Sequence, residues 1–512
     1  LSWSSSFVGE LSANRLRPRF AAYIVQPANN AGPGGSGEIG EVVSLLTQSG
    51  RVTPQSWAAT MGGFSLRVAT TTPASSLHNI IRRGSICEVR VGWDGWPKGD
   101  YEVVARGRVR NVSGTVPELT IECVDLVSST VSRPASDNIE QQFLFYDAGA
   151  PVGPYTATSS GAHYQIDTTF TMSASIDTAM FTRDSSVGKG LLRVEEGTIA
   201  TYYVTYTGIS GADFTGVNSA GSFGTIKPPS TPSGADIRHV PYYRDHPADL
   251  VRRVLASTGL GTNGTYDTSP KAWGVAFRDE WIDHGDIDQW RDDLIVATSG
   301  SYEWEAKAET RQTSGLSWLT ALLSPVGLWL TSRQGQITLR AAQNLYPPAV
   351  CSGVLVTDDD IEQVLRYDAW DPGIGYEYGR VKITGPTLSQ AQDSTNGVGS
   401  RPSGYVKEYD ASATHWQNEG AVLAGDRSRL YAWAFVVPER VRLRCAGLRL
   451  ATLCVGDELQ VSSQRLTGRL ESGSNTFSYR RALVVGHAVD WLRGSVELEL
   501  SHPPHHNHTE QG

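Results

Sequence analysis

The residues that could do chemistry in this sequence are few and poorly assembled. Asp283-His-Gly-Asp-Ile-Asp288 packs three carboxylates and an imidazole together, dense enough to hold a cation. Its spacing is not that of a calcium loop, whose ligands alternate towards a closing glutamate. The aspartates read instead as caps of a following helix, through Asp286 or Asp288. Asp358-Asp-Asp360, ahead of Ile361-Glu-Gln-Val364, reads the same way, as a helix start. His502, His505, His506 and His508 could meet a metal on an oligomer axis. However, Pro503-Pro504 and Asn507 offer no scaffold, and a solvated tail is expected. Gly32-Pro-Gly-Gly-Ser-Gly37 matches the dinucleotide fingerprint formally. That fingerprint needs a helix opening at its last glycine, with its N-terminus facing a pyrophosphate. Here Ile39-Gly40 and a strand-like run follow, so a hairpin tip is predicted. No His-Glu-x-x-His, Gly-x-Ser-x-Gly or P-loop is present. Carboxylates are plentiful, but no spacing selects a glycosidase pair. The expectation is a non-enzyme with no catalytic, cofactor-binding or metal residue and no cofactor.

Composition agrees with a structural role. The 512 residues exceed one ordinary core, and roughly three or four domains are expected. Hydrophobic residues make up 39% and charged residues only 19%, below the roughly 25% of usual soluble domains. Such a surface leans on Ser, Thr, Gly and Asn. The net charge of −9, from 44 basic and 53 acidic residues, argues against a dedicated nucleic-acid binder, which would show a basic footprint. It remains compatible with a channel that DNA crosses without being gripped. Of the five cysteines, Cys87, Cys123 and Cys445 fall on the apolar phase of strands and read as buried free thiols. No apolar run is long enough for a membrane span, and no secretory leader is read. The 14 tryptophans, among them Trp93, Trp96 and Trp370, could stack on sugars where exposed; they read mainly as core or interface anchors.

The elements that must position these residues are mostly strands. Residues 1–135 read as a first β-barrel. Arg19–Val25 and Glu41–Leu46 flank the glycine-rich loop. Thr72 and Pro73 open a short helix with Leu77, Ile80 and Ile81 on its face, stopped by Gly84. Cys87, Val89 and Val91 then alternate with Glu88 and Arg90, Asp94-Gly95 turns, and strands follow over Tyr101–Val112 and Leu119–Val124. Residues 136–235 read as a β-rich insertion, with a strand over Thr201–Tyr206 and a linker at Pro228–Gly234. Residues 236–345 read as mixed α/β. Asp245 caps a helix with Pro247 near its start and Leu250, Val251, Val254 and Leu255 on its face, ending at Gly259. A second helix holds Trp290, Leu294 and Ile295, and a third covers Leu316–Leu323. A hairpin follows, Leu328–Thr331 and Gln336–Arg340 around Gln334-Gly335. Residues 346–502 read as a second β-barrel. There Val441, Leu443 and Cys445 alternate with arginines, and Val496, Leu498 and Leu500 with Glu497 and Glu499. Residues 503–512 are expected to be a flexible tail. The fold class is therefore mainly β with some α, multi-domain, with two tube-like antiparallel barrels.

The first and last parts echo one another. Gly84-Ser-Ile-Cys-Glu-Val89 parallels Gly456-Asp-Glu-Leu-Gln-Val461, and Val103–Val109 parallels Ala482–Ala488. Gly114 matches Gly494, and Leu119–Cys123 matches Val496–Leu500. If this is a duplication, a trimer would present six similar barrels in a ring, closed by heterologous contacts.

Three blocks, covering roughly 300 residues, resemble the tail-hub proteins of long-tailed phages and of gene-transfer particles. The first is Phe64–Val68, Ile81–Gly84, Glu88–Gly92, Gly107–Val109 and Leu119–Ser128. The second is Asp245-His-Pro-Ala-Asp-Leu250 with Leu255-Ala-Ser-Thr-Gly-Leu-Gly-Thr-Asn-Gly-Thr-Tyr-Asp267. The third is the hairpin Pro325-Val-Gly-Leu328 to Gly335–Arg340. The resemblance implies a structural virion protein, a homotrimeric hub at the distal end of a phage tail (tail tip or baseplate). It would adapt a six-fold tail tube to a three-fold tip and line the DNA channel. The implied partners are a distal tail or tail tube protein and tip, spike or fibre proteins, with DNA only in transit. The alternative is a carbohydrate-binding or depolymerising tail or surface protein, which requires an aromatic groove with a convergent carboxylate pair.

Overall fold

Alternating apolar residues of period two place one face of a strand in a core and the other towards solvent, and that pattern builds most of this chain. The computed structural model describes residues 3–13, 18–25, 37–39, 41–53, 58–60, 62–69, 81, 85–115, 117–126, 156–164, 167–176, 188–196, 200–219, 230–231, 234–240, 242–256, 279–289, 291, 304–307, 319–320, 323, 328–341, 354–368, 378–385, 388–393, 407–412, 439–467 and 476–502. The fold is mainly β with some α.

Eight strands come from the first part: β1 (Pro18–Val25), β2 (Gly37–Glu38), β3 (Glu41–Thr53), β4 (Ala58–Thr60), β5 (Gly63–Ala69), β6 (Ile86–Trp93), β7 (Glu102–Thr115) and β8 (Glu118–Asp125). A helix, α1 (Ser5–Ser12), precedes them, capped where Ser4 accepts the Phe7 N–H. In β5, Phe64, Leu66 and Val68 turn inwards while Ser65 and Arg67 turn out. Burial of each large apolar side chain contributes roughly 1.5–3 kcal/mol. No helix opens at Gly37: β2 pairs back onto Tyr23 and Ile24 of β1, and residues 26–36, with the rest of the glycine motif, lie outside the described residues.

In the middle, β9 (Gly190–Glu196), β10 (Ala200–Tyr206) and β11 (Asp236–Val240) centre a five-stranded sheet. Its core is its own: Phe170, Leu192, Val194, Val204, Tyr206, Phe214 and Ile237 cluster apart from the rest. Helix α2 (Pro247–Ala256) buries Leu250, Val251 and Leu255. The hairpin of β12 (Leu328–Arg333) and β13 (Gln336–Ala341) forms as read, with Gln334 at φ 52° and Gly335 at φ 72°. Both residues are left-handed, as a tight hairpin turn requires.

The last part contributes β14 (Leu355–Thr357), β15 (Ile361–Asp368), β16 (Glu439–Ala446), β17 (Glu458–Thr467), β18 (Thr476–Asp490) and β19 (Ser495–His502). These join the first eight in one sheet of fourteen strands. Its main path runs β2-β1-β6-β7-β8-β5-β3-β18-β19-β16-β15; β17 pairs β18 and β14, and β4 pairs β3. Among the described residues no strand pairing closes either end of this path into a barrel.

Within this sheet, one five-stranded unit occurs twice. The order β6-β7-β8-β5-β3 repeats as β17-β18-β19-β16-β15. Register matches residue by residue: Leu66 faces Ile121 as Leu443 faces Leu498, and Val109 faces Cys123 as Val484 faces Leu500. Two bulges recur at matched positions. One follows Val42 in β3 and Ile361 in β15; the other follows Val109 in β7 and Val484 in β18. Bulges leave one residue unpaired and redirect the strand, so two at matched register are strong marks of a shared template. The echo of Ile86–Val89 with Glu458–Val461 and that of Leu119–Cys123 with Val496–Leu500 keep the register read from sequence. The middle echo does not. Val109 corresponds to Val484, not Ala488, and Gly114 pairs with Leu119 inside the ladder while Gly494 lies in a turn. The second turn is the longer one, and that length displaced the alignment.

Several local expectations are corrected. Ile361–Asp368 is a strand, not a helix. Its two bulges break period-two alternation and give a burial pattern that mimics neither element cleanly. The preceding aspartates order a turn: Asp360 accepts the Thr357 N–H at 2.9 Å, and Asp358 accepts the Gln464 N–H at 2.9 Å. Residues 284–289 are helical, but Asp283 is the cap, accepting the Asp286 N–H at 3.1 Å. Asp286 and Asp288 are engaged by arginines instead. At α2 the cap is His246, whose Nδ1 accepts the Ala248 N–H at 3.2 Å, while Asp245 ends a strand. The expected helix over residues 72–84 lies outside the described residues except for the buried Ile81. Trp370, Cys351, His505, His506 and His508 lie outside them as well. Cys87, Cys123, Cys445 and also Cys454 are buried free thiols. No helix of the described residues is long and apolar enough to cross a membrane.

Candidate functional site

The feature built with most care is the seam between the two units. β3 and β18 run antiparallel, with Leu46 opposite Asp490, Thr47 opposite Val489, Gln48 opposite Ala488 and Arg51 opposite Gly486. β18 is long enough to serve two neighbours on one side. Its first half pairs with β17, and its second half with β3. Main-chain pairing therefore carries the first unit directly into the second.

Aromatic residues close the seam. Trp491 is 1% exposed; its indole N–H donates to Thr47 Oγ1 at 3.1 Å and its backbone N–H to the Leu45 carbonyl at 3.2 Å. Trp3 meets Trp491 edge-on at 6.2 Å and Phe7 at 5.0 Å, and its indole N–H donates to the Val103 carbonyl at 2.8 Å. Phe7 lies 6.1 Å from Trp93 of the first unit, and α1 packs on the turn Arg449–Thr452 of the second. The N-terminal helix is thus a strap across both units. At the rim, Arg51 of β3 pairs with Glu499 of β19 at 2.8 Å.

The β12–β13 hairpin rivets the same two units from another side. Its Gly335 carbonyl accepts from Arg106 of β7 at 3.0 Å. A Cβ on Gly335 would lie 2.9 Å from Val103 and 3.2 Å from the Arg106 nitrogen, so close approach adds to the positive φ in favouring glycine. At the hairpin's other end Arg340, buried, donates to Asp286 at 3.1 Å and to the Cys454 sulfur at 3.2 Å, and lies 3.4 Å from Asp457. Asp286 also accepts from Thr338, and Asp288 from Arg252. The aspartate-rich motif of residues 283–288 is therefore an arginine-holding cluster. Among the described residues no three His, Cys, Asp or Glu side chains are placed to hold a metal.

Electrostatics follow from burial. Burial alone would raise the Glu88 carboxyl, but Arg106 at 2.6 Å and Arg90 at 2.7 Å outweigh it and hold it below its ordinary value. Burial pushes the Cys454 thiol up to about 12, which Arg340 opposes only in part, and the Cys445 thiol likewise up to about 12. His487 is driven down to about 4 by burial, against the Leu450 carbonyl 3.2 Å from its Nε2. On the outward face of β16 and β19, Arg442 and Arg444 share Glu497 at 2.7 and 2.8 Å, and Arg440 pairs with Glu499 at 2.8 Å.

A cavity of about 50 Å³ sits where seam and hairpin meet, lined by Trp3, Phe64, Arg106, Asp125, His487 and Trp491 among others. It has room for a few waters, well short of the roughly 300 Å³ at which ligand pockets begin. Among the described residues Asp125 is the one carboxylate on its wall. The resembling segments in β5–β8 and the hairpin come together in this region. Asp245 ends a short strand, and Pro247–Leu250 opens α2 packed beside it, while residues 257–267 lie outside the described residues.

Comparison with known proteins adds the following. No family model matches the chain, and no curated protein matches its sequence. Among solved structures, the 43 kDa tail protein of prophage MuSo2 from Shewanella oneidensis aligns at 10% identity over 95% of this chain and 98% of that one, with a TM-score of 0.41. A prophage tail protein from Listeria monocytogenes EGD-e aligns at 8% identity over 94% of both chains, with a TM-score of 0.34. A Francisella PdpA–VgrG complex aligns at 8% identity over 97% of this chain and 55% of that one, with a TM-score of 0.33.

Proposed function

We propose that this chain is a structural virion protein, the homotrimeric hub at the tip of a phage-type tail, acting without catalytic turnover. Three copies bring six similar sheet units into a ring. That ring adapts a six-fold tail tube to a three-fold tip and surrounds the passage for DNA. Its neighbours are a distal tail or tube protein on one side and tip, spike or fibre proteins on the other. The division into residues 1–135, 136–235, 236–345 and 346–502 belongs to this reading, the first and last forming the ring.

The observation that carries the reading is the doubled five-stranded unit joined through β3 and β18. A head-to-tail contact between like units repeats into a ring when its rotation closes. The sequence resemblance to tail hubs supports the same reading. On the outward face of β16 and β19, Glu497 and Glu499 offset most of the charge of Arg440, Arg442 and Arg444, which suits a wall that DNA passes without being gripped.

Electron-microscopy class averages of the purified chain or its native particle test this. The expected result is a three-fold ring with near-six-fold inner features and an open channel. A three-fold rod with surface grooves and no axial channel overturns it.

A further inference from the structure

The walls of the central cavity are held in two different ways. His487 reaches it from the far half of β18 and is 6% exposed. Its own strand is fixed by main-chain ladders to β3 and β19. Two other parts of the wall are not: the hairpin turn Ser332–Gly335 and Trp3 of the N-terminal strap. Neither pairs as a strand with the fourteen-stranded sheet. The turn is tied to β7 where the Gly335 carbonyl accepts from Arg106 at 3.0 Å, and Trp3 where its indole N–H donates to the Val103 carbonyl at 2.8 Å. Elements outside the ladders open before the ladders do.

A charged imidazole fits poorly in this place. The Leu450 carbonyl only accepts, so Nε2, 3.2 Å away, carries the hydrogen of the neutral ring and an added proton goes to Nδ1. The charged or titratable groups facing the ring are Arg106 of β7, Asp125 of β8, Arg333 of β12, and Cys454 and Asp457 of the turn before β17. Among the described residues α1, β3 and β5 bring no charged side chain to the cavity wall. Arg106 and Arg333 match the two carboxylates in number, and Asp457 is shared with Arg340 and the Cys454 N–H. Solvating a new buried cation therefore falls to water. Water enters most readily where the wall is not laddered. At the matched position of the first unit stands Val112, which cannot titrate.

We propose that the cavity is an acid-sensitive lock: protonation of His487 lifts the β12–β13 turn and the α1 strap while the strand ladders of both units stay formed. The lock concerns one chain and its own covers, and stands apart from the ring reading. Its sign follows from burial, which holds His487 down to about 4 against an ordinary 6.5. In the lifted form the ring returns to its ordinary value. The lifted fraction is then constant above pH 6.5 and grows about ten-fold per unit as pH falls from there towards 4.

Hydrogen exchange of the full-length chain across this pH range, read by mass spectrometry and corrected for intrinsic rates, tests the lock. Opening of residues 3–13 and 328–341 is expected to rise about ten-fold per pH unit, while β5, β8, β16 and β19 keep their protection. His487→Val should make the same segments independent of pH, with His487→Gln as the second variant if the valine chain fails to fold. A flat profile in the wild type overturns the lock. So does a profile that survives loss of the histidine, or strands that open in step with the two covers.

Discussion

The two five-stranded units share strand order, register and two bulges, yet their matched surfaces carry different chemistry. Where β18 lies permanently under β3, its far half is apolar and includes a neutral histidine. Where β7 has no such cover among the described residues, the same backbone positions carry Arg110, Asn111, Ser113 and Gly114. Fold is thus held by inward residues such as Leu66 and Leu443, whereas the outer edge is tuned to whatever covers it. An edge left to solvent stays polar or charged; one that is covered on folding does not.

The sharpest way to break this comparison is at Trp491, a seam residue in the turn after β18. Trp491→Ala is expected to cost about 3–5 kcal/mol by denaturant unfolding, the range for a buried aromatic lost from a core. A loss under about 1 kcal/mol would mean that the seam is not part of the core.

His487 comes next, because its counterpart in the first unit is Val112. With its folded pKa near 4 and an ordinary value of 6.5, His487 stays neutral when folded and gains a proton when unfolded across that interval. Its contribution is therefore full above about pH 6.5 and lost as pH falls towards 4, on the order of 3 kcal/mol. His487→Val should flatten that part of the stability–pH curve. An unchanged slope would locate the acid sensitivity elsewhere.

A smaller effect is expected from Glu88→Gln, which installs the residue type found at the matched position, Gln460. Removing the charge from the Arg106 and Arg90 hydrogen bonds should cost about 1–3 kcal/mol at neutral pH. The penalty should shrink in acid, since a carboxylate held below its ordinary pKa contributes above that value and loses its contribution as pH falls. The smallest effect is at Arg442, whose side chain is 54% exposed in its pair with Glu497. Arg442→Ala should change stability by less than about 1 kcal/mol, and less still in high salt.

Much of the fold was legible because alternation is a local signal. β5, β8, β16 and β19 show it cleanly, and the hairpin around Gln334-Gly335 follows from turn chemistry. β15 was not legible: two bulges insert extra residues, so Ile361-Glu-Gln-Val364 reads as a helix face beside helix-starting aspartates. The caps at Asp283 and His246 were misassigned by a few residues, because several acceptors compete within one turn. The seam could not be read at all. Nothing local in Leu46–Arg51 names Gly486–Asp490 as its partner, and Trp3 and Trp491 look like any other tryptophans. The duplication hinted at the seam, but only strand pairing gives the register.

The seam also sets a timetable for synthesis. Thr47 and Trp491, which share a hydrogen bond, are 444 residues apart in the chain. At roughly 5–20 residues per second, the ribosome needs on the order of 20–90 s to make the second after the first. Throughout that interval the second half of β3 has no β18 to pair with, and Trp3 and Phe7 have no second unit to cross. The first unit must emerge with an open strand edge and uncovered aromatics, and these seam contacts form only once residue 491 has been made.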